Sequence, residues 1–162
     1  MASDQVLGRQ NLSILAGVRP MVAEDVPHVS AIEQQASPHP WRESQFLESV
    51  SKHHCLVLTL EAEIIGYAVY TIVVGEAEIL NIAVHPSDQG KGYGRQLLDH
   101  LMTIVSEQAE RFFLEVRASN HSAIHLYQDV GFVEICLRRN YYQTSSGPED
   151  AIVMAIDFHF GL

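Results

Sequence analysis

The sequence predicts an α+β (mixed α/β) fold, a mostly antiparallel mixed sheet flanked by helices, and three observations carry that prediction. Runs of β-branched and apolar residues recur at strand length between residues 55 and 84, helix-period apolar faces follow at 95–110 and 122–130, and two more strand-like runs close the chain. A length of 162 residues with 47% hydrophobic content is enough for one buried core and short for two. The expected organisation is a single domain over residues 18–162. Residues 1–17 show no sustained period and read as a loose N-terminal extension or a short extra element.

In chain order, Ala23 to Gln35 reads as a helix, since Ala31 and Ile32 follow Val26 and Val29 at helical spacing and Glu24 and Asp25 favour its positive end. Pro38 and Pro40 break it, because each lacks an amide hydrogen and pushes the residue before it out of helical backbone. A second short helix follows through Phe46, Leu47 and Val50. Residues 55–60 and 64–74 read as antiparallel strands joined by a tight turn at Glu61-Ala62-Glu63, with residues 77–84 as a third strand. Pro86 stops that strand. The strongest helix runs from Arg95 to about Glu110, with Leu97, Leu98, Leu101, Ile104 and Val105 on one face, and residues 111–116 then alternate as a strand. Residues 122–130 form an amphipathic helix that Gly131 closes with a left-handed cap. Two last strands, 133–142 and 151–158, flank a polar turn with Ser145, Ser146, Gly147 and Pro148. Residues 79–84, the long helix and residues 112–116 make a strand-helix-strand unit, so those strands should run parallel. Ligand sites open where such strands end.

A formal net charge of −10 argues against a protein that coats nucleic acid and suits a basic partner better. Cys55 and Cys136 both lie in apolar runs without a C-x-x-C pairing, so both read as buried free thiols in a reducing compartment. No signal-like start and no apolar run of about 18 residues is present, which points to a cytoplasmic protein that meets no membrane. Oligomeric state is not legible, a monomer being the simplest expectation.

Gly90, Gly92 and Gly94 alternate just before the long helix, where glycine permits positive φ and close approach of backbone amides to a ligand. The helix dipole and the unpaired first amides suit a phosphate there, and Lys91 and Arg95 add positive charge. A flexible capping turn is the plain alternative. A Walker loop is excluded because no Ser or Thr follows a Gly-Lys pair at the required spacing, and a dinucleotide fingerprint fits poorly because Gly94 comes one residue early.

Gln89, Gly92 and Gly94, after Asn81-Ile82-Ala83-Val84-His85-Pro86, resemble the Q-x-x-G-x-G pattern of the GNAT acetyltransferase superfamily. Leu114-Glu115-Val116-Arg117-Ala118-Ser119-Asn120, Leu126-Tyr127, Gly131-Phe132 and Arg138-Arg139-Asn140-Tyr141-Tyr142 are similar to the RimI group, the bacterial ribosomal-protein-alanine acetyltransferases. The resemblance runs from about Val18 to Ile156. It implies a GNAT fold with the glycine loop before a coenzyme-binding helix. It also implies acetyl-CoA as co-substrate without a metal, and as acceptor the basic N-terminal peptide of a small-subunit ribosomal protein.

The same resemblance implies roles residue by residue. Glu115 matches the proposed general base, needed because an α-amino group of pKa about 7.7 to 8.0 is mostly ammonium at neutral pH. By pattern alone it reads first as a solvated carboxylate paired with Arg117. Tyr127 matches the tyrosine that protonates the departing thiolate, though three residues after Ile124 it also reads as a core tyrosine. Ile82, Ala83 and Val84 would offer backbone groups to the pantetheine arm as an added strand. Gln89, Gly90, Lys91, Gly92, Tyr93, Gly94 and Arg95 would hold the phosphates, and Asn120 would contact the coenzyme or simply cap a helix. Trp41, Tyr141 and Tyr142 would close over the peptide; without the resemblance they are a core anchor and ordinary strand residues. Gly90 stands where the group usually has a basic residue, and His39 where a hydrophobic one is common. His121 and His125 are four apart but lack the glutamate of H-E-x-x-H and a third ligand, so they read as surface histidines. A GNAT enzyme for another amine, such as a lysine or a polyamine, and a non-catalytic acetyl-CoA-binding module are the competing readings.

Overall fold

The computed structural model describes residues 16–158, so almost all of the expected N-terminal extension lies outside the described residues. The elements in chain order are β1 (Gly17–Pro20), a 3-10 turn (Ala23–Asp25), α1 (Val26–Ala36), α2 (Glu43–Lys52), β2 (His54–Leu60), β3 (Glu63–Val73), β4 (Glu76–Val84), a second 3-10 turn (Pro86–Asp88), α3 (Tyr93–Ser106), β5 (Arg111–Arg117), α4 (His121–Val130), β6 (Val133–Thr144) and β7 (Gly147–Asp157). The seven strands form one sheet in the order β1-β2-β3-β4-β5-β7-β6, in which only β4 and β5 pair parallel. This is the expected mixed, mostly antiparallel sheet with the strand-helix-strand unit at its centre.

Two apolar clusters hold the helices to opposite faces. On one face Leu97, Leu98, Leu101 and Val105 of α3 and Tyr127 of α4 pack with Leu58, Ala68, Ile79, Phe112 and Leu114. On the other, Val26, Val29 and Ile32 of α1 and Phe46 of α2 pack with Val57, Tyr67 and Val69. Burial of this kind contributes about 25 cal/mol per Å² of apolar surface and is what fixes the layers. Within the second cluster the buried Glu33 carboxylate accepts from the Tyr67 hydroxyl at 2.7 Å and from the Asn81 amide, which satisfies it.

Four expectations need correction. β1 was not anticipated as a strand: its four residues pair with Thr59 to Leu56 at the sheet edge, where Pro20 costs no ladder bond. The first helix begins as a 3-10 turn because Asp25 accepts from the Val22 amide at 2.9 Å and from Arg19 at 2.7 and 2.9 Å, which holds its carboxyl below the usual range. β6 and β7 run further than expected, to Thr144 and from Gly147, so their turn keeps only Ser145 and Ser146. Cys136 is exposed on edge strand β6, whereas Cys55 is buried, its thiol pushed up to about 11 by burial.

The β3–β4 connection is a two-residue hairpin, Val74-Gly75, with φ of +48° and +78°. A turn with both central residues left-handed matches the twist of the strands but suits Asn-Gly, and a β-branched residue there is strained. Val74 is also 97% exposed. Val74→Asn is expected to stabilise the fold by about 1 kcal/mol, read as a higher urea midpoint at unchanged slope.

Candidate active site

The parallel β4–β5 ladder is short, running from Glu76↔Arg111 to Ile79↔Leu114. The antiparallel β3–β4 ladder continues to Gly66↔Val84, with an irregularity between Val69 and Tyr70 that leaves Leu80 without a register partner. That bulge turns β4 away from β5. Residues 81–84 therefore keep one strand edge paired to β3 and the other free, and residues 115–117 of β5 are likewise unpaired on that side. A gap opens between two parallel strands in the middle of the sheet.

On the α3/α4 side of the gap lies a cleft of about 480 Å³ lined by Ile82, Ala83, Val84, Gln89, Gly90, Gly92, Gly94, Arg95, Asn120 and Tyr127, together with Ala36 and Leu98. Gly90 and Gly92 have φ of +74° and +87° and open space where a Cβ would stand. Gly92 is the N-cap of α3 and no side chain caps it, which leaves the first amides of the helix available to a ligand. Gly94 lines the cleft and is helical, and a Cβ there would stand 3.3 Å from Leu126 Cδ2, so its smallness also serves the approach of α4 to α3. The Gln89 amide donates to the Val84 carbonyl at 2.9 Å and ties the loop to the end of β4. Lys91 pairs with Asp88 at 3.6 Å and does not line the cleft, Arg95 pairs with Asp99 at 3.0 Å, and Tyr93 packs against the core. The arrangement fits a phosphate held by backbone amides and an extended amide-bearing arm lying on the free edge of β4.

Tyr127 is buried, its ring 6.0 Å from that of Phe132. Among the described residues its hydroxyl has no hydrogen-bond partner, yet no fully buried side-chain oxygen lacks one, so the hydroxyl is the part that reaches the cleft. Burial pushes the phenol up to about 12 and keeps it protonated. Asn120 caps α4, its Oδ1 accepting from the Ala123 amide at 3.3 Å, while also lining the cleft.

The other side of the gap carries charge. Register places Glu115 of β5 on the face that α1 and α2 cover elsewhere. Its partner is Arg138 of β6 at 2.9 Å, not Arg117, which pairs with Glu149 at 3.3 Å. The Arg117 guanidinium lies 4.0 Å over the Tyr142 ring and Arg138 lies 5.2 Å over that of Tyr141. A groove of about 830 Å³ follows, bounded by Pro38 and His39 between α1 and α2, by Asn140 and residues 144–150 of the β6–β7 hairpin, and floored by Arg117, Ala118 and Ser119. Trp41 is half-buried against Phe46, ring centroids 5.2 Å apart, and lines neither cleft; the same holds for Glu115, Tyr141 and Tyr142.

The Acetyltransferase (GNAT) family model matches residues 22–132, from the 3-10 turn through the glycine loop to Phe132. The chain belongs to the GNAT acetyltransferase family. This acetyltransferase is 42% identical over 134 residues to the [Ribosomal protein bS18]-alanine N-acetyltransferase of Escherichia coli strain K12, covering 82% of its own length and 90% of that protein. It is 39% identical to the protein of that name from Haemophilus influenzae, over 81% of this chain and 91% of the relative. The crystal structure of the ribosomal-protein-S18-alanine N-acetyltransferase from Escherichia coli superposes with a TM-score of 0.86 at 37% identity, covering 91% of this chain and 97% of that one. The acetyltransferase uses acetyl-CoA, as its family does.

Two charged groups at the gap were not singled out from the sequence, Arg138 as the partner of Glu115 and Glu78 of β4. Both depend on strand register across non-adjacent segments, which no local pattern reports.

Proposed function

We propose that this acetyltransferase transfers the acetyl group of acetyl-CoA to the α-amine of the N-terminal alanine of ribosomal protein bS18. The observation that carries the reading is the gap between β4 and β5, with a cleft along residues 82–84 and the glycine loop and a separate groove over Arg117 and the β6–β7 hairpin. In this reading the first turn of α3 and Gly90 to Gly92 hold the phosphates, and residues 82–84 align the pantetheine arm. One β4 amide polarises the thioester carbonyl. Glu115 takes a proton from the incoming ammonium directly or through a water, and Tyr127 donates one to the sulfur as it leaves.

The groove suits an N-terminal peptide of basic character. Glu149 accepts from the Ser119 amide at 3.0 Å, from the Ser119 hydroxyl and from Arg117, which together hold it below the usual carboxylate range and therefore ionised. Asp150 accepts from the Asn140 amide at 2.8 Å, and the chain as a whole carries −10. Trp41, Tyr141 and Tyr142 are the residues proposed to close on the peptide. No helix among the described residues is long and apolar enough to cross a membrane.

The test is acetyl-CoA with peptides beginning Ala-Arg, Ser-Arg or Met-Arg and with an internal-lysine peptide, following thiol release and the site of acetylation by mass spectrometry. Acetylation of the alanyl α-amine is expected, with kcat/KM highest for that peptide. Acetylation of lysine alone would assign the enzyme to another amine, and tight coenzyme binding with no turnover would make it a sensor.

A further inference from the structure

Taking a carboxyl group out of water is costly, and proteins tolerate it only where hydrogen-bond donors offset the loss. Glu33 of α1 is 3% exposed and has no part in the chemistry proposed above. Both of its donors reach one oxygen: Oε2 accepts from the Tyr67 hydroxyl of β3 at 2.7 Å and from the side-chain amide of Asn81 on β4. Burial, and next the Glu33 carboxylate itself, push the Tyr67 phenol up, so it stays a donor. An apolar side chain could fill such a site at less cost, so the use of a buried polar contact lies in the geometry it specifies.

That geometry is the bulge of β4. Between Tyr70↔Ile79 and Val69↔Asn81 the ladder carries Leu80 as an extra residue. Leu80 packs with the α1/α2 cluster and Asn81 bonds Glu33, so two successive side chains lie on the α1 side. In an unbroken strand they would alternate, and Asn81 would fall with Ile79 on the α3/α4 side. The shift carries on along the strand: Ile82 and Val84 pack with the α3/α4 cluster and Ala83 with the other.

We propose that Glu33 is a positioning residue for acetyl-CoA: by holding Asn81 on the α1 side it locks the β4 bulge, and with it the free edge of residues 82–84 that receives the pantetheine arm. The proposal rests on the reading of that edge given above. Glu33 touches no reacting atom and acts through Asn81. Three residues further along α1, Ala36 lines the coenzyme cleft, so the same bond also fixes how close the helix end stands to the arm. Without the bond, packing of Ile82 and Val84 still favours the bulged register and the fold survives. The edge is then no longer held at its first residue, and the spacing of the groups that pair with the arm is lost.

The test measures acetyl-CoA Kd by calorimetry, urea unfolding and amide hydrogen exchange for wild type, Glu33→Gln, Glu33→Ala, Asn81→Ala and the double alanine variant. Glutamine carries an amide oxygen with two lone pairs, so Glu33→Gln keeps both bonds and is expected within about 3-fold of the wild-type Kd. Glu33→Ala and Asn81→Ala are each expected to weaken binding about 30-fold, with faster exchange at residues 82–84. The double variant should be no weaker than Asn81→Ala alone, because both changes remove one contact. Three results would overturn the proposal and leave the reading of the edge in place: a wild-type Kd in Asn81→Ala, a double variant weakened by the product of the two single effects, or Glu33→Gln as weak as Glu33→Ala. A role confined to packing α1 gives the first of these, with a lowered urea midpoint for Glu33→Ala. Asn81→Ala decides alone if Glu33→Ala does not fold. Wild-type protein in which acetyl-CoA brings no protection to the amides of residues 82–84 overturns both the edge reading and the proposal.

Discussion

Tyr127→Phe is expected to lower kcat by about 100-fold while leaving the acetyl-CoA Kd and the urea midpoint close to those of wild type. The ring already fills its place in the core beside Phe132, and phenylalanine keeps that packing. The hydroxyl holds no partner among the described residues, so its removal strands no buried donor or acceptor there and costs little stability. What is lost is the proton for the leaving sulfur. A phenol pushed up to about 12 by burial is fully protonated across the working range, because burial disfavours the phenolate. The wild-type rate should therefore show no fall at high pH from Tyr127 until well above neutrality. Thiol release under saturating substrates, calorimetric Kd and urea unfolding check the three parts. A weakened Kd with intact kcat would make Tyr127 a coenzyme contact and not the acid.

The elements with strong local signatures are legible in the sequence itself. The apolar face of α3, the proline break after α1 and the left-handed cap at Gly131, where φ is +119°, each follow from chemistry within a few residues. The elements missed are those that only pairing creates. β1 is four residues with a proline, too short to show a period, and exists because β2 offers it an edge. The Val74-Gly75 turn escaped because valine is a strand former that the hairpin forces to positive φ. The candidate site divides the same way. The glycine loop and Tyr127 stand out locally, whereas the pairing of Glu115 with Arg138 instead of Arg117 joins β5 to a strand two places away across β7. Gly94 lines the cleft as expected and also gives Leu126 room to pack, a second role that spacing alone does not show.

The glycine loop yields the second large effect. Gly92→Val is expected to weaken acetyl-CoA binding by about 100-fold, with kcat at saturating coenzyme changed far less. No atom stands within 4 Å of the Cβ that would be added, so a clash is not the cause. The cause is φ of +87° at the N-cap of α3, a backbone state that costs an ordinary L-residue about 1–2 kcal/mol and a β-branched one more. The chain relieves that strain by rotating the 92–93 peptide, which turns an amide away from the phosphate and loses a charge-assisted hydrogen bond of about 1.5–3 kcal/mol. That lost bond alone reaches about 3 kcal/mol, and each 1.4 kcal/mol is tenfold in Kd. The side-chain cations should matter less. Lys91 and Arg95 are more than 45% exposed and already paired with Asp88 and Asp99, so recruiting either to a phosphate means giving up an existing partner. Calorimetry on Gly92→Val, Lys91→Ala and Arg95→Ala separates the two sources. Alanine substitutions that weaken binding as much as Gly92→Val would place the affinity in side-chain charge, and the backbone cradle would then be only a shape.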